Sequence, residues 1–185
     1  ANNRLDLVTI ASNISDIGLE RWQIEAILEN FILFNDRFIC IALIDRTGQF
    51  QYKFPCFDQL QDKLPSVSVL ERDIKSSGYY FSEVEICDTV PYIVIGTAVP
   101  SSQSNDLFII GQLSLISVWN YIDSLLPEGS GEAFLISDSG TLIAHSNPKF
   151  KAGILKKEIW TDLEAVKEVV HGKDNVVVGN NREGE

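Results

Sequence analysis

The sequence predicts an α+β protein: a long N-terminal helix followed by two lobes with antiparallel sheets, the second apparently truncated. Three observations carry this. Residues 3–34 repeat apolar side chains at helical spacing. Three strand-like runs, 79–86, 92–99 and 107–115, then follow closely, joined by turn-rich stretches of hairpin length. One hairpin phrase also occurs twice. Ile41-Ala-Leu-Ile-Asp-Arg-Thr-Gly-Gln-Phe50 aligns with Ala133-Phe-Leu-Ile-Ser-Asp-Ser-Gly-Thr-Leu142 at a constant offset of 92, setting Leu43 over Leu135 and Gly48 over Gly140. A fixed offset of about a domain's length points to a duplicated lobe.

Taken in order, the helical stripe begins with Leu7, Ile10, Ile14 and Ile17 and continues through Ile24, Ile27, Leu28 and Phe31. Asp16 and Gly18 weaken its middle, so it reads as two helices or as one with a bend. Unbroken, it would span about 45 Å at about 1.5 Å per residue, more than a small lobe needs. Such a helix serves as a spine or a homodimer contact; the alternative is a helix packed on its own sheet.

Segments 38–45 and 49–54 form the first hairpin. Phe50, Tyr52 and Phe54 alternate with Gln49, Gln51 and Lys53, as in a strand buried on one side. Pro55 and Pro65 bracket a loop or short helix. A helix over 68–77 follows, with Ser68 as cap, Glu71 three residues on and a break at Ser76-Ser77-Gly78. After the three strands, 118–126 gives another helix, and Pro127-Glu-Gly-Ser-Gly131 is the strongest domain joint. The segments are then a helical spine (1–34), a first lobe (35–126) and a partial second lobe (127–185).

The second hairpin spans 133–136 and 141–145. Asn147-Pro148 opens a variable loop. A helix over 161–171 has Thr161 as N-cap, Leu163, Val166 and Val170 on its apolar face and Gly172 as stop, and 175–178 is a strand. The first lobe has two strands, a helix and three strands; the second stops two strands short.

Composition narrows the partners. In 185 residues, 45% apolar and 10% aromatic side chains suffice for a packed core. The net charge of −11, from 15 basic and 26 acidic residues, argues against nucleic acid and anionic membrane surfaces, which need a basic footprint. No apolar run approaches the roughly 18 residues of a membrane span. The absence of Met, together with the strand-like end, predicts a piece cut from a longer chain. Cys40 sits in an apolar strand as a small core residue. Cys56 and Cys87 could pair in an oxidising compartment, but no spacing requires it.

Catalytic signals are weak. His145 closes the second hairpin and His171 ends a helix, where a basic group suits the dipole. Asp138, His145 and Ser146 lack a nucleophile elbow or oxyanion loop. Asp45, Asp138 and His145 have no metal-ligand spacing. No P-loop or G-x-G-x-x-G occurs, so no cofactor is expected. A binding pocket is better motivated. Tyr80 and Ser82 on one strand, Tyr92 and Thr97 on the next and Ser114 on the third mix hydroxyls and aromatic rings into apolar strands, as small-ligand pockets do. Tyr and Thr also favour half-buried strands for packing alone. Arg72 on the preceding helix is either a carboxylate clamp or a solvated helix charge.

Four phrases in order, Tyr79-Tyr-Phe-Ser-Glu-Val-Glu85, Val90-Pro-Tyr-Ile-Val-Ile-Gly-Thr-Ala-Val-Pro100, Ile110-Gly-Gln-Leu-Ser-Leu-Ile-Ser-Val-Trp119 and Gly131 through His145, give the chain its resemblance to double Cache sensor modules. These are the extracytoplasmic parts of bacterial histidine kinases, chemoreceptors and cyclase-type receptors. The resemblance covers nearly the whole chain. It implies tandem PAS-like lobes, membrane-distal then membrane-proximal, with a long helix rising from the membrane. It also implies a small molecule in the distal lobe, a membrane-anchored and usually dimeric parent, and no catalysis within the module. The Arg-x-Trp-Tyr signature of the amino-acid-binding branch is absent, so an amino-acid ligand does not carry over. Ser114-Leu115 stands where that branch often has an acid, and His145-Ser146 replaces its His-Pro.

Overall fold

A computed structural model describes residues 3–15, 19–55, 64–87, 89–100, 107–125, 131–137, 139–163 and 166–167. The chain divides into two compact units, Ala1–Glu85 with Tyr92–Ser114, and Ile86–Pro91 with Leu115–Glu185.

The helical stripe becomes two helices, α1 (Asn3–Ile14) and α2 (Arg21–Phe34). Leu19 and Glu20 between them are not helical. The cause is a fresh start signal: the Glu20 N–H donates to Gln23 Oε1 at 2.8 Å while the Gln23 N–H donates to the Glu20 carbonyl at 2.9 Å. Of the two readings of the stripe, two helices or one with a bend, the structure takes the first. Leu7, Ile10, Ile14 and Leu28 are buried in one cluster, with Ile24, Ile27 and Phe31 packed against it, so both helices lie on the sheet of their own unit. Arg37 Nη2, just ahead of the first strand, donates to Asp6 Oδ2 at 2.9 Å and ties α1 down.

That sheet contains β1 (Phe38–Asp45), β2 (Phe50–Phe54), β3 (Tyr80–Phe81), β4 (Glu85–Cys87), β5 (Val90–Ala98) and β6 (Leu107–Ser114). Its order is β2-β1-β6-β5-β3, with β4 pairing β5 off this path, and the pairs with a resolved register are antiparallel. Successive side chains on a strand point to opposite faces. Ile41 and Leu43 on β1, Ile95 on β5, and Ile109 and Leu113 on β6 meet the two helices. The other face meets α3 (Val67–Ser77), whose Leu70 is fully buried. Ser66, not Ser68, is the N-cap of α3, and Gly78 ends it in the left-handed conformation. The run predicted over 79–86 is two short strands, β3 and β4.

The second unit holds α4 (Ile116–Ser124), the hairpin β7 (Phe134–Ile136) with β8 (Leu142–His145), a 3-10 turn (Pro148–Phe150) and α5 (Lys151–Leu155). Sequence reading assigned α4 to the first lobe. It groups with the second unit because Trp119 Nε1 donates to the Ile143 carbonyl at 2.6 Å and Lys151 Nζ to Asp123 Oδ2 at 2.6 Å. Leu142, Ile154 and Trp160 form the core there. The loop expected after Asn147 is instead the 3-10 turn and α5, opened by Asn147, whose side chain accepts from the Lys149 N–H at 3.0 Å. Most of the helix expected over 161–171, the strand over 175–178, the 127–130 joint, Cys56, Asp138 and His171 lie outside the described residues.

Candidate functional site

Register decides which side chains can meet. Tyr92 pairs with Ser114, Val94 with Gln112 and Gly96 with both Ile110 and Tyr80. A Cβ built on Gly96 would lie 3.4 Å from Leu70 of α3 and 3.7 Å from Tyr80 Cβ. Gly111, one residue along β6, instead faces Phe38 of β1 and Leu7 of α1. Tyr80, Tyr92, Gln112 and Ser114 thus share the α3 face.

The five predicted positions separate on this frame. Tyr92 is fully buried, Ser114 is half-buried, and the Ser114 N–H donates to the Arg37 carbonyl at 2.8 Å. Tyr80 is half-buried; burial, with the charges of Asp73, Glu83 and Glu85, pushes its hydroxyl above the usual tyrosine value. Ser82 serves the backbone: its Oγ accepts from the Val94 N–H at 2.8 Å and donates to the Glu83 carbonyl at 2.7 Å. Thr97 lies five residues from Tyr92 on one strand and so faces the other way. It lines a small hollow with Leu7, Val8 and Phe81 on the α1 side, and its hydroxyl donates to the Gly78 carbonyl at 3.0 Å.

Sequence reading missed Gln112. Only 2% exposed, its Oε1 accepts from Cys40 Sγ at 2.8 Å, across β1–β6 on the α3 face. A lone amide inside Phe108-Ile-Ile-Gly-Gln-Leu113 was the available signal, since a buried polar group needs a reason. Arg72 is a solvated helix charge, its Nε on Asp73 Oδ1 at 2.8 Å with the side chain 71% exposed.

His145 is built into the second unit's core. Its ring lies 5.8 Å from Phe134 in a stack, 4.6 Å from Phe150 and 5.2 Å from Trp160. Nδ1 accepts from the Asn147 N–H at 2.9 Å, which puts the proton of the neutral ring on Nε2. Burial holds its pKa below the ordinary value, against the opposing charge of Glu132. Among the described residues, no three His, Cys, Asp or Glu side chains could together hold a metal ion. No described helix is long and apolar enough to cross a membrane.

Comparison with protein-family profiles finds no match, and neither does comparison with curated proteins. Solved structures do match. The ligand-binding domain of the Pseudomonas aeruginosa amino acid chemoreceptor PctC, in complex with GABA, superposes with a TM-score of 0.63 at 17% identity, over 84% of this chain and 70% of its own. The ligand-binding domain of the Pseudomonas fluorescens chemoreceptor CtaA, in complex with L-leucine, gives 0.58 at 26% identity, over 84% of this chain and 64% of its own. The extracellular domain of mmHK1S-Z2, described as a histidine kinase, gives 0.61 at 12% identity, over 89% and 73%. The α+β fold is that of ligand-binding sensor domains of chemoreceptors and histidine kinases, in agreement with the Cache resemblance.

Proposed function

We infer that the chain is the extracytoplasmic, periplasmic sensor module of a membrane-anchored receptor of the histidine-kinase or chemoreceptor type. A small molecule binds the α3 face of the first unit, and the lobe geometry that fits it better shifts the populations of α1 and α2. The first unit then corresponds to the membrane-distal lobe and the second, which includes α4, to part of the proximal one. The observation that carries this reading is the gathering of Tyr80, Tyr92, Gln112 and Ser114 on one face, beside α3, while the opposite face is taken by the helices. Tyr80 and Ser114, both half-buried, offer the ligand hydroxyls, and Ser82 and Thr97 hold the backbone that frames them.

A thermal-shift panel tests it on the 185-residue chain. L-leucine and GABA, held by the neighbours, lead the panel, followed by other small acids, amines and sugars. A binder raises the melting temperature by mass action, and that rise should shrink in Tyr80→Phe and Ser114→Ala but survive His145→Ala. Stabilisation that survives both first variants would move the ligand off this face.

A second reading, a dimerising ectodomain without a ligand, draws on α2. Trp22 and Leu33, 67% and 70% exposed, lie three turns apart on one side of that helix, and Phe34 is 88% exposed. Analytical ultracentrifugation of Trp22→Ser with Leu33→Ser against the parent chain separates the two readings. A silent ligand panel with a dimer lost in the variant favours the second.

A further inference from the structure

A cavity of about 560 Å³ opens on the helix side of the first unit's sheet, away from the α3 face. Its volume falls within the roughly 300–1,000 Å³ of small-molecule pockets. Ile24 of α2, Leu19 before it, Leu43 of β1 and Leu107 of β6 give it apolar walls. Its mouth is polar, and the donors and acceptors there are unequally committed. Asp45 Oδ1 accepts from the Thr47 N–H at 2.8 Å, from Thr47 Oγ1 at 2.5 Å and from the Gln49 N–H at 3.1 Å, and its Oδ2 accepts from Gln51 Nε2 at 2.7 Å. Glu25 accepts from Arg21 Nε at 2.9 Å. The acids of the mouth are therefore supplied with donors. Arg21 spends its Nε on Glu25, while its Nη2 reaches only the Gln51 carbonyl, at the long distance of 3.5 Å. Arg21, its side chain 80% exposed, thus lines the cavity together with the apolar Ile24, Leu43 and Leu107.

We propose that this cavity is a second binding site, for a small monocarboxylate with an apolar body: the body lies on Ile24, Leu43 and Leu107, and the carboxylate on the Nη edge of Arg21. A planar fork suits a carboxylate better than a hydroxyl, and it repels an amine. Because Arg21 and Ile24 belong to α2 while Leu43 and Leu107 belong to the sheet, an occupant clamps the first turns of α2 to the strands beneath. The site does not depend on the α3-face reading.

Phenylpropionate is the probe, titrated into the 185-residue chain by calorimetry and by thermal shift, with phenylpropanol and phenylpropylamine as arms of equal body. The expected result is saturable binding of the carboxylate alone, weakened about tenfold or more by Arg21→Gln, as loss of a charge-assisted bond implies. Arg21→Lys should recover part of that loss. Ile24→Trp, which fills the chamber, should abolish binding, whereas Tyr80→Phe and Ser114→Ala should leave it unchanged. The proposal is overturned if the alcohol or amine binds as well as the acid, or if no saturable binding occurs. Undiminished binding in Arg21→Gln, whose exposed site leaves folding intact, overturns it equally, and so does loss in the α3-face variants.

Discussion

The two hairpins have the same backbone and different supports. In the first, the Gly48 N–H donates to the Asp45 carbonyl at 3.0 Å and the Asp45 N–H to the Gln49 carbonyl at 3.0 Å. In the second, Gly140 donates to Ser137 at 2.9 Å and Ser137 to Thr141 at 2.9 Å. Both glycines have φ of 81°, and pairing slips at the same step, between Leu43 and Ile44 and between Leu135 and Ile136. The sequence offset of 92 is thus also an offset of hydrogen bonds. The surroundings differ. β1 lies between β2 and β6, whereas β8 has β7 as its one partner among the described strands, its Leu142 N–H donates to the Glu158 carbonyl at 2.9 Å, and Trp119 donates to its Ile143 carbonyl from a helix. Asp45 holds its turn with a carboxylate; Ser137 does so with a hydroxyl that accepts from the Thr141 N–H at 3.1 Å. Turn length and a left-handed glycine define the motif, while the neighbours that support it differ between the two hairpins.

The sharpest test is a methyl group at each glycine. A Cβ on Gly140 would lie 2.5 Å from Thr161 Cγ2, whereas one on Gly48 would lie 3.5 Å from Val67 Cγ2. Gly140→Ala should cost about 3 kcal/mol, from left-handed strain plus overpacking, and Gly48→Ala about 1 kcal/mol, from strain alone. Urea denaturation of the two variants measures this, and equal costs would erase the asymmetry. Next, Trp119→Phe should cost about 1 kcal/mol through the hydrogen bond to β8. The same urea denaturation, followed by circular dichroism, reads it, and no change would mean that the helix adds nothing to the second hairpin.

Two pH effects follow, each confined to one unit. The folded pKa of His145 lies below its ordinary 6.5, chiefly through burial, so the unfolded chain takes up the proton first. The second unit should keep its full stability above about pH 6.5 and lose it as pH falls towards the lower folded value. His145→Phe should flatten that slope in denaturation midpoints taken across pH. The smallest effect belongs to Asp45, lowered first by its bond from the Thr47 hydroxyl, then by the Gln49 and Thr47 N–H groups and Gln51. Its contribution is present above the ordinary 3.8 and disappears as pH falls through the folded value. Asp45→Asn should remove that acid limb from the first hairpin, whereas Ser137→Ala should leave the pH profile of the second unchanged.

What was legible in the sequence was local. The period of Leu7, Ile10 and Ile14, the alternation of Phe50, Tyr52 and Phe54 and the two Gly turns each follow from contacts within a few residues. A weak middle at Asp16 and Gly18 was legible, but the start of the second helix at Glu20 was not, because the apolar stripe continues through it while the Glu20–Gln23 exchange fixes the new start. The separation of Tyr92 from Thr97 was readable in principle, as an odd spacing along one strand puts two side chains on opposite faces. Gln112 stood out in the sequence as a lone amide in an apolar strand, but its partners did not: register brings it beside Val94 and Cys40.

Gly111 and Gln112 are adjacent on β6 and look in opposite directions. A Cβ on Gly111 would stand 2.6 Å from the Phe38 ring and 3.5 Å from Leu7. The Phe38 ring of β1, with Leu7 of α1 beside it, therefore rests on bare backbone there, with no side chain to act as a cushion. A push on β6 from the Gln112 side has no compressible material to spend itself on, because close-packed interiors pass strain along. At this point the sheet is a thin diaphragm, with the Gly111 backbone set directly against the Phe38 ring and Leu7 of α1.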